Sequence, residues 1–152
     1  MLCTLVTGFI LTYAVVVMPG LSELDDKEFI RAFQVTDRVI QNNQPLFLLT
    51  WLGSILSVIG LILSSIISVG LPEAWLIISV GSLYLFGVQG ITISVHLPLN
   101  SRIQKMNITK MNYQTLREER LKFETKWNLF NNISQFFYLI ISLVINFNRI
   151  IF

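Results

Sequence analysis

The charged residues of this chain leave four long stretches without any Asp, Glu, Lys or Arg, at residues 1–22, 39–72, 74–101 and 127–148. A helix needs about 20 apolar residues to cross the hydrocarbon core of a bilayer, so each stretch is long enough for one crossing. Four buried core helices or strands would instead need a polar shell, which 152 residues with 13% charged residues do not supply. The stretches therefore predict an all-α integral membrane protein built as a four-helix bundle.

We predict a single membrane domain over residues 1–152, with spans at about 2–19, 46–70, 73–97 and 128–149. A further amphipathic helix at about 23–42 lies between the first two spans, because its apolar residues gather on one side. This helix is expected at the membrane interface or across the end of the bundle, and its charges are interpreted as a solvated face. Residues 98–126 are expected to form a cytoplasmic loop whose later, helix-patterned part extends the last span.

Small residues recur along the second span at steps of three or four residues, which places them on one helical face. In lipid, such a face lets two helix backbones approach closely. We therefore predict that it meets another helix of the bundle, the third span by default. The stripe consists of Gly53, Ser57, Gly60, Ser64 and Ser68.

The basic residues are divided unequally between the two sides of the predicted bundle. Segments 20–45 and 98–126 hold ten of the eleven Lys and Arg residues, and only Arg149 lies on the other side. Because Lys and Arg concentrate in the cytoplasmic loops of membrane proteins, both segments are expected in the cytoplasm and both termini outside. We place the chain in the bacterial cytoplasmic membrane, with membrane lipid around it.

Composition excludes several classes of function. A formal net charge of +2 gives no nucleic-acid-binding surface. One cysteine and one histidine cannot build a closed zinc site or a bis-histidine haem within a single chain. Membrane lipid remains as a partner, and the sequence leaves the oligomeric state open.

Polar side chains within the third and fourth spans form two stripes. Inside a bilayer such side chains are costly unless they face the bundle interior or a wet cavity. We expect the stripes to face each other and form one pocket, while the alternative that they only join the helices stays open. The third span carries Ser82, Gln89, Thr92, His96 and Asn100, and the fourth carries Glu124, Asn128, Asn131, Gln135, Tyr138 and Ser142.

His96 is the first candidate for a catalytic base. An imidazole ordinarily has a pKa of about 6.5, so it can take up a proton near neutral pH. The alternative is a structural histidine that is hydrogen-bonded near the end of its helix.

Three local patterns stand at the ends of the spans: Met18-Pro19-Gly20-Leu21 with Leu24 and Phe29, then Leu97-Pro98-Leu99-Asn100, then Phe123-Glu124 with Trp127 and Phe130-Asn131. In this order, and over nearly the whole chain, they resemble the anthrone-oxygenase-like family of small four-helix integral membrane proteins. Two positions depart from the pattern of that family. His96 stands where Asn is common, and Ser134 stands where many members have Arg; both positions are expected in the pocket.

The resemblance implies oxidation of a polyketide anthrone to an anthraquinone by molecular oxygen, without a metal or flavin cofactor. Such a protein needs to hold an apolar polycyclic phenolic substrate, remove a proton and stabilise the resulting anion. By the same resemblance Asn100 and Asn131 orient or hydrogen-bond the oxygen of a small apolar aromatic substrate, and Trp127 forms a wall of the pocket. His96, which departs from the family pattern, is the candidate base on the chemistry of its imidazole. Further substrate-binding candidates are Gln89, Asn128, Gln135 and Tyr138.

The competing hypothesis is a non-enzymatic structural or accessory membrane bundle whose polar stripes fix the register of the helices. A small-molecule exporter half is disfavoured, because one ionisable residue within the spans offers little for coupling to protons. An enzyme should enclose an apolar-walled pocket lined by His96, Asn100, Asn131 and Gln135. In a purely structural bundle, those side chains should be paired with one another and leave no cavity.

Overall fold

The computed structural model is helical throughout its five elements and describes residues 1–151, with side chains described up to Asn146. Four of the five helices are long and apolar enough to cross a membrane, and the exception is the second helix along the chain. The predicted all-α bundle with four spans is therefore confirmed, and the chain is a multi-pass membrane protein. The helices are α1 (Leu2–Ser22), α2 (Asp26–Gln41), α3 (Pro45–Val69), α4 (Trp75–Gln104) and α5 (Tyr113–Ile151).

The outward surface of α3 shows why this bundle needs lipid around it. A row of large aliphatic side chains on this helix is exposed, and a continuous apolar surface of this kind would associate or aggregate in water. In a bilayer the same side chains contact acyl chains. The row contains Leu52, Leu56, Ile59, Leu63 and Ile67.

Helices α1 and α4 both run through an internal proline. Proline has no N–H to donate and clashes with the preceding turn, yet α1 passes Pro19 and α4 passes Pro98. In each helix a widened, π-helical turn lies just before the proline, at Tyr13–Val17 and Thr92–His96. Such local π adjustments let a membrane helix accommodate proline without ending.

These two helices continue beyond the predicted spans. Helix α1 ends at Ser22, three residues after the predicted span end at 19, and α4 ends at Gln104, seven residues after the predicted span end at 97. Within the predicted cytoplasmic segment 98–126, residues 105–112 connect α4 to α5, and α5 begins at Tyr113. The sequence interpretation treated Pro98 as a helix end, whereas the preceding wide turn absorbs it.

Helix α2 begins at a standard cap and lies across one end of the bundle. The Asp25 side chain accepts a hydrogen bond of 2.8 Å from the Glu28 backbone N–H, and acidic residues in the first turn favour the positive end of the helix dipole. The apolar face of α2 is fully buried at Phe29, Ile30 and Phe33. These side chains belong to one core cluster with residues of α4 and α5.

Arg120 of α5 ties the turn between α1 and α2 to the bundle. Its guanidinium donates hydrogen bonds to the carbonyl oxygens of Ser22 (2.8 Å) and Leu24 (2.7 Å). It also pairs with Asp26 at 3.2 Å and Glu124 at 3.1 Å. Arg120 thus satisfies carbonyl groups at the end of α1 and fixes where α2 begins.

Helices α3 and α4 are joined by a short reversal in which Gly70 has φ +84°, a conformation that favours glycine. They approach most closely at Gly81, where a Cβ atom would lie 2.7 Å from the Cδ1 atom of Ile62. The buried face of α3 carries Ser54 and Val58. A Cβ atom at Gly60, in contrast, would meet nothing within 4 Å.

The predicted packing of the small-residue stripe is therefore wrong for most of its length. Ser57, Gly60, Ser64 and Ser68 are exposed; Gly53 alone of the stripe meets another helix, α1, through Leu2. The physical reason is that Ser54 accepts hydrogen bonds from Tyr84 (2.9 Å) and Gln89 (3.2 Å), which turns its side of α3 inward.

Replacing Gly87 with Ala should destabilise the protein by about 1–3 kcal/mol, because an added Cβ would lie 2.7 Å from the Phe137 ring. The matched control is Gly60→Ala, where the added methyl group meets open space. The measurement is thermal unfolding of the purified protein in detergent, and equal unfolding temperatures for the two variants would contradict the close packing of α4 on α5.

Replacing Arg120 with Ala should destabilise the protein by about 2–4 kcal/mol, because two backbone carbonyl groups and two carboxylates lose their donor. Arg117→Ala is the control, since Arg117 is exposed on the same helix. Both variants are compared with the wild type by thermal unfolding in detergent. A normal unfolding temperature for Arg120→Ala would show that this residue does not tie α1 and α2 to the bundle.

Candidate functional site

A pocket of about 350 Å³ lies at the end of the bundle that α2 covers. All five helices contribute to its walls, and the volume falls within the roughly 300–1,000 Å³ usual for small-molecule sites. Large apolar side chains form most of the lining, and a few polar side chains line the pocket where α2, α4 and α5 meet. This combination of apolar walls and a few polar groups is typical of a binding site for a small organic molecule.

Aromatic rings line the apolar part of the pocket. The ring of Phe9 lies 5.0 Å from that of Tyr13 and 5.2 Å from that of Phe47, measured between centroids. Tyr13 in turn lies 5.5 Å from Trp127. These rings offer flat apolar surfaces against which a flat aromatic ligand can pack.

Part of the pocket lining reaches the outer surface of the bundle. Leu5 and Phe9 of α1 and Leu46 of α3 line the pocket and are also exposed.

His96 lies in the pocket wall with its imidazole unpaired. The side chain is 9% exposed, and neither Nδ1 nor Nε2 has a hydrogen-bond partner among residues 1–146. The imidazole packs beside the Trp127 ring at 4.9 Å between centroids. A buried polar group without a partner is costly, so an imidazole in this position is available to a bound molecule.

Asp37 of α2 also lines the pocket, although its side chain is only 1% exposed. The Asn100 side-chain amide donates to its Oδ1 at 2.8 Å. The Gln41 and Gln104 amides donate to its Oδ2 at 3.1 and 3.2 Å. Three neutral amides therefore hold a buried carboxylate at the polar end of the pocket.

Asn100 connects this carboxylate to the aromatic wall. Its Oδ1 accepts a hydrogen bond of 3.1 Å from the indole Nε1 of Trp127, while its amide group donates to Asp37. Trp127 is held in one orientation by this pairing and presents its ring to His96. One N–H of Asn100 remains for a ligand, and the predicted role of Asn100 in contacting the substrate stays a prediction.

Four of the sequence-predicted site residues meet at this pocket: His96, Asn100, Trp127 and Asn131. Asn131 is buried, and its Nδ2 lies 3.5 Å from the carbonyl oxygen of Ile10, which is a long contact for a hydrogen bond.

The other four predicted site residues lie elsewhere. Gln89 accepts from the indole of Trp51 at 2.7 Å and donates to the Tyr84 hydroxyl at 2.8 Å. Asn128 lines a separate depression beside Met18 and Glu124. Neither Gln135 nor Tyr138 lines the pocket, and Tyr138 packs against the core cluster of Val58, Tyr84, Val88 and Ile141.

Of the two polar stripes, only Thr92, His96 and Asn100 of α4 and Asn131 of α5 line this pocket. Of the two departures from the family pattern, His96 lies in the pocket, whereas Ser134 is buried outside it. The Ser134 hydroxyl and the Gln135 amide nitrogen have no hydrogen-bond partner within the described part of the chain.

Asp37 is the residue that the sequence interpretation missed. The charges of α2 were expected to be solvated, and Lys27, Arg31 and Arg38 are indeed exposed, but Asp37 is buried. The available signal was its position, four residues after Phe33 and seven after Ile30, on the apolar face of the helix. A carboxylate on an apolar face needs partners there, and two of the three, Asn100 and Gln104, come from α4, far along the chain.

Burial raises the pKa of Asp37 above its ordinary value of 3.8, while hydrogen bonds from Gln41, Gln104 and Asn100 act in the opposite direction. The net direction is upward because removal from water penalises the charged form more than the amides stabilise it.

The fold is that of a multi-pass helical membrane protein with a largely apolar pocket between its helices. The anthrone oxygenase family matches residues 33–144, from α2 to α5, which is most of the 152-residue chain. The chain belongs to this family, as the sequence resemblance indicated. Searches of curated proteins and of solved structures find no match to it.

The raised pKa of Asp37 predicts a pH-dependent stability. Because the folded state binds this proton more tightly than the unfolded chain does, the wild type should gain stability relative to Asp37→Asn as the pH falls from about 7 to about 4.5. The measurement is the difference in unfolding temperature between the two proteins across that range, with the exposed Glu118→Gln as control. A difference that moves in the opposite direction would mean that the fold stabilises the charged form.

Proposed function

We propose that this protein oxidises an apolar polycyclic phenolic substrate of the anthrone type with molecular oxygen, in the pocket between α1, α3, α4 and α5. The observation that carries the proposal is the unpaired imidazole of His96 in the wall of a largely apolar pocket of about 350 Å³. Membership of the anthrone oxygenase family supports the same reaction class.

The chemistry requires neither a metal nor a flavin. Removal of one proton from the methylene group of an anthrone gives a delocalised anion, which can pass one electron to O₂. Recombination of the two radicals forms a peroxide at that carbon, and loss of water leaves a carbonyl group. One anthrone and one O₂ thus give one anthraquinone and one water, and the proton first taken by the base returns to the peroxide oxygen.

In this proposal His96 is the base that takes the methylene proton. A neutral imidazole nitrogen is a common general base, and the ring nitrogens of His96 have no competing partner within the described side chains. Trp127, Tyr13 and Phe9 hold the flat ring system. Asn131 and the remaining N–H of Asn100 are the donors that would stabilise the negative charge on the substrate oxygen.

The orientation of the pocket is part of the proposal. The polar end lies beside α2 and the segment 105–112, on the side that carries most of the Lys and Arg residues. By the positive-inside rule this is the cytoplasmic side, with both termini outside. The substrate would then enter from the inner half of the bilayer.

A non-enzymatic structural bundle is the second candidate, and one observation favours it. Gln89 is paired with Trp51, Tyr84 and Ser54, which is how polar side chains behave when they only join membrane helices. The same explanation does not extend to His96, whose nitrogens join nothing among residues 1–146.

The purified protein should convert an anthrone to its anthraquinone faster than buffer and detergent do, with one O₂ consumed per quinone formed. His96→Ala should lower the rate by roughly 10²–10⁴-fold, because a positioned general base is removed. Quinone absorbance and oxygen consumption are the two readouts. Ser94→Ala is the control on the same helix, since Ser94 is exposed and bonds only to the Gly90 carbonyl.

Two results would refute this function. The first is wild-type turnover equal to that of the detergent blank. The second is equal turnover by His96→Ala and the wild type, which would remove His96 from the reaction.

A further inference from the structure

We propose that Asp37 is a specificity-determining residue, whose carboxylate accepts a hydrogen bond from a hydroxyl group of the bound ring system. The inference rests on the proposed function for the choice of pocket and deepens it, because it says how the pocket selects its substrate.

The hydrogen bonds at the Asp37 carboxylate leave one acceptor position unused among the described side chains. Each carboxylate oxygen can accept about two hydrogen bonds. Oδ2 already accepts from Gln41 and Gln104, whereas Oδ1 accepts only from Asn100. One acceptor position therefore remains on Oδ1, on a side chain that lines the pocket.

Asp37 has no cationic partner among the described side chains. The ion pairs among the described side chains involve Arg102, Arg120 and Lys122, and none of them includes Asp37. A carboxylate paired with an arginine would gain little free energy from a further hydrogen bond to a ligand hydroxyl group. One that is held only by neutral amides gains from each further donor and repels an anionic ligand.

The contact between α2 and α4 does not depend on this carboxylate alone. Besides the hydrogen bonds that Asn100 and Gln104 donate to Asp37, the Gln34 amide donates to the carbonyl oxygens of Ile103 (2.8 Å) and Met106 (3.0 Å). Gln104 donates in return to the carbonyl oxygen of Gln34 at 2.9 Å. Amide groups thus also join these helices, whereas an acid at position 37 is costly to bury.

Together these features predict a preference for neutral, hydroxylated ring systems. A phenolic hydroxyl can donate to Oδ1. A methoxy group at the same position cannot donate and would leave the buried acceptor unsatisfied. A carboxylated ligand would place a second negative charge beside the first.

The test compares the binding of a dihydroxyanthraquinone, its dimethoxy ether and unsubstituted anthraquinone, each followed by quenching of tryptophan fluorescence in detergent. Trp51 and Trp127 line the pocket and serve as reporters. The wild type should bind the dihydroxy ligand roughly tenfold or more tightly than either of the others. The unsubstituted ring is smaller and the ether is larger, so a shared weakness would not come from size.

Asp37→Leu should bind all three ligands within about threefold of one another, because it removes the acceptor and keeps the branched arrangement of heavy atoms. Asp37→Asn keeps a neutral acceptor, so its preference for the dihydroxy ligand should lie between those of the wild type and Asp37→Leu. It replaces Asp37→Leu in the test if the Leu variant does not fold. Glu118→Gln, an exposed position outside the pocket, should keep the wild-type preference.

Equal binding of the three ligands by the wild type would overturn the inference, as would a full wild-type preference in either Asp37 variant. Failure to bind any of them would overturn it as well. Because the quinones are not turned over, these results are independent of catalysis. A wild type that prefers the dihydroxy ligand but oxidises no anthrone would refute the proposed function and leave the role of Asp37 in binding standing.

Discussion

The structure depends on the burial of one face of α2 against the end of the membrane bundle. Phe29, Ile30 and Phe33 are removed from solvent against α4 and α5, and Arg120 holds the turn that leads into this helix. A helix that only lay at the interface would leave the bundle open at this end. Because α2 is packed on protein, it brings Asp37 to the same pocket as residues of α1, α3, α4 and α5.

Two prolines shape the other side of the pocket. The backbone of a membrane helix must satisfy its own hydrogen bonds, and proline removes one donor, so a widened turn precedes each of Pro19 and Pro98. Tyr13 begins one of these turns and His96 ends the other. Both side chains line the pocket. The backbone adjustment that accommodates proline thus also sets the position of the residues that a ligand would touch.

Two groups of buried polar side chains have different physical roles. The group around Gln89 is paired within itself, and such hydrogen bonds between membrane helices contribute about 0.6–2 kcal/mol each. The group at the pocket is incompletely paired: the imidazole of His96 has no partner among the described side chains, and the Asp37 carboxylate has room for one more donor. Groups that the protein leaves unsatisfied are those that a bound molecule can satisfy.

The sequence by itself determined the four spans, because an apolar stretch of about 20 residues without charge fits the hydrocarbon core of a bilayer. It also singled out His96, Asn100, Trp127 and Asn131, which meet in the pocket. Tertiary structure decided the rest, since periodicity along one helix does not reveal how far that helix is rotated against its neighbours. That rotation turned the face of Gly60 outward, left Gln135 and Tyr138 off the pocket, and buried Asp37 beside amides more than 60 residues away along the chain.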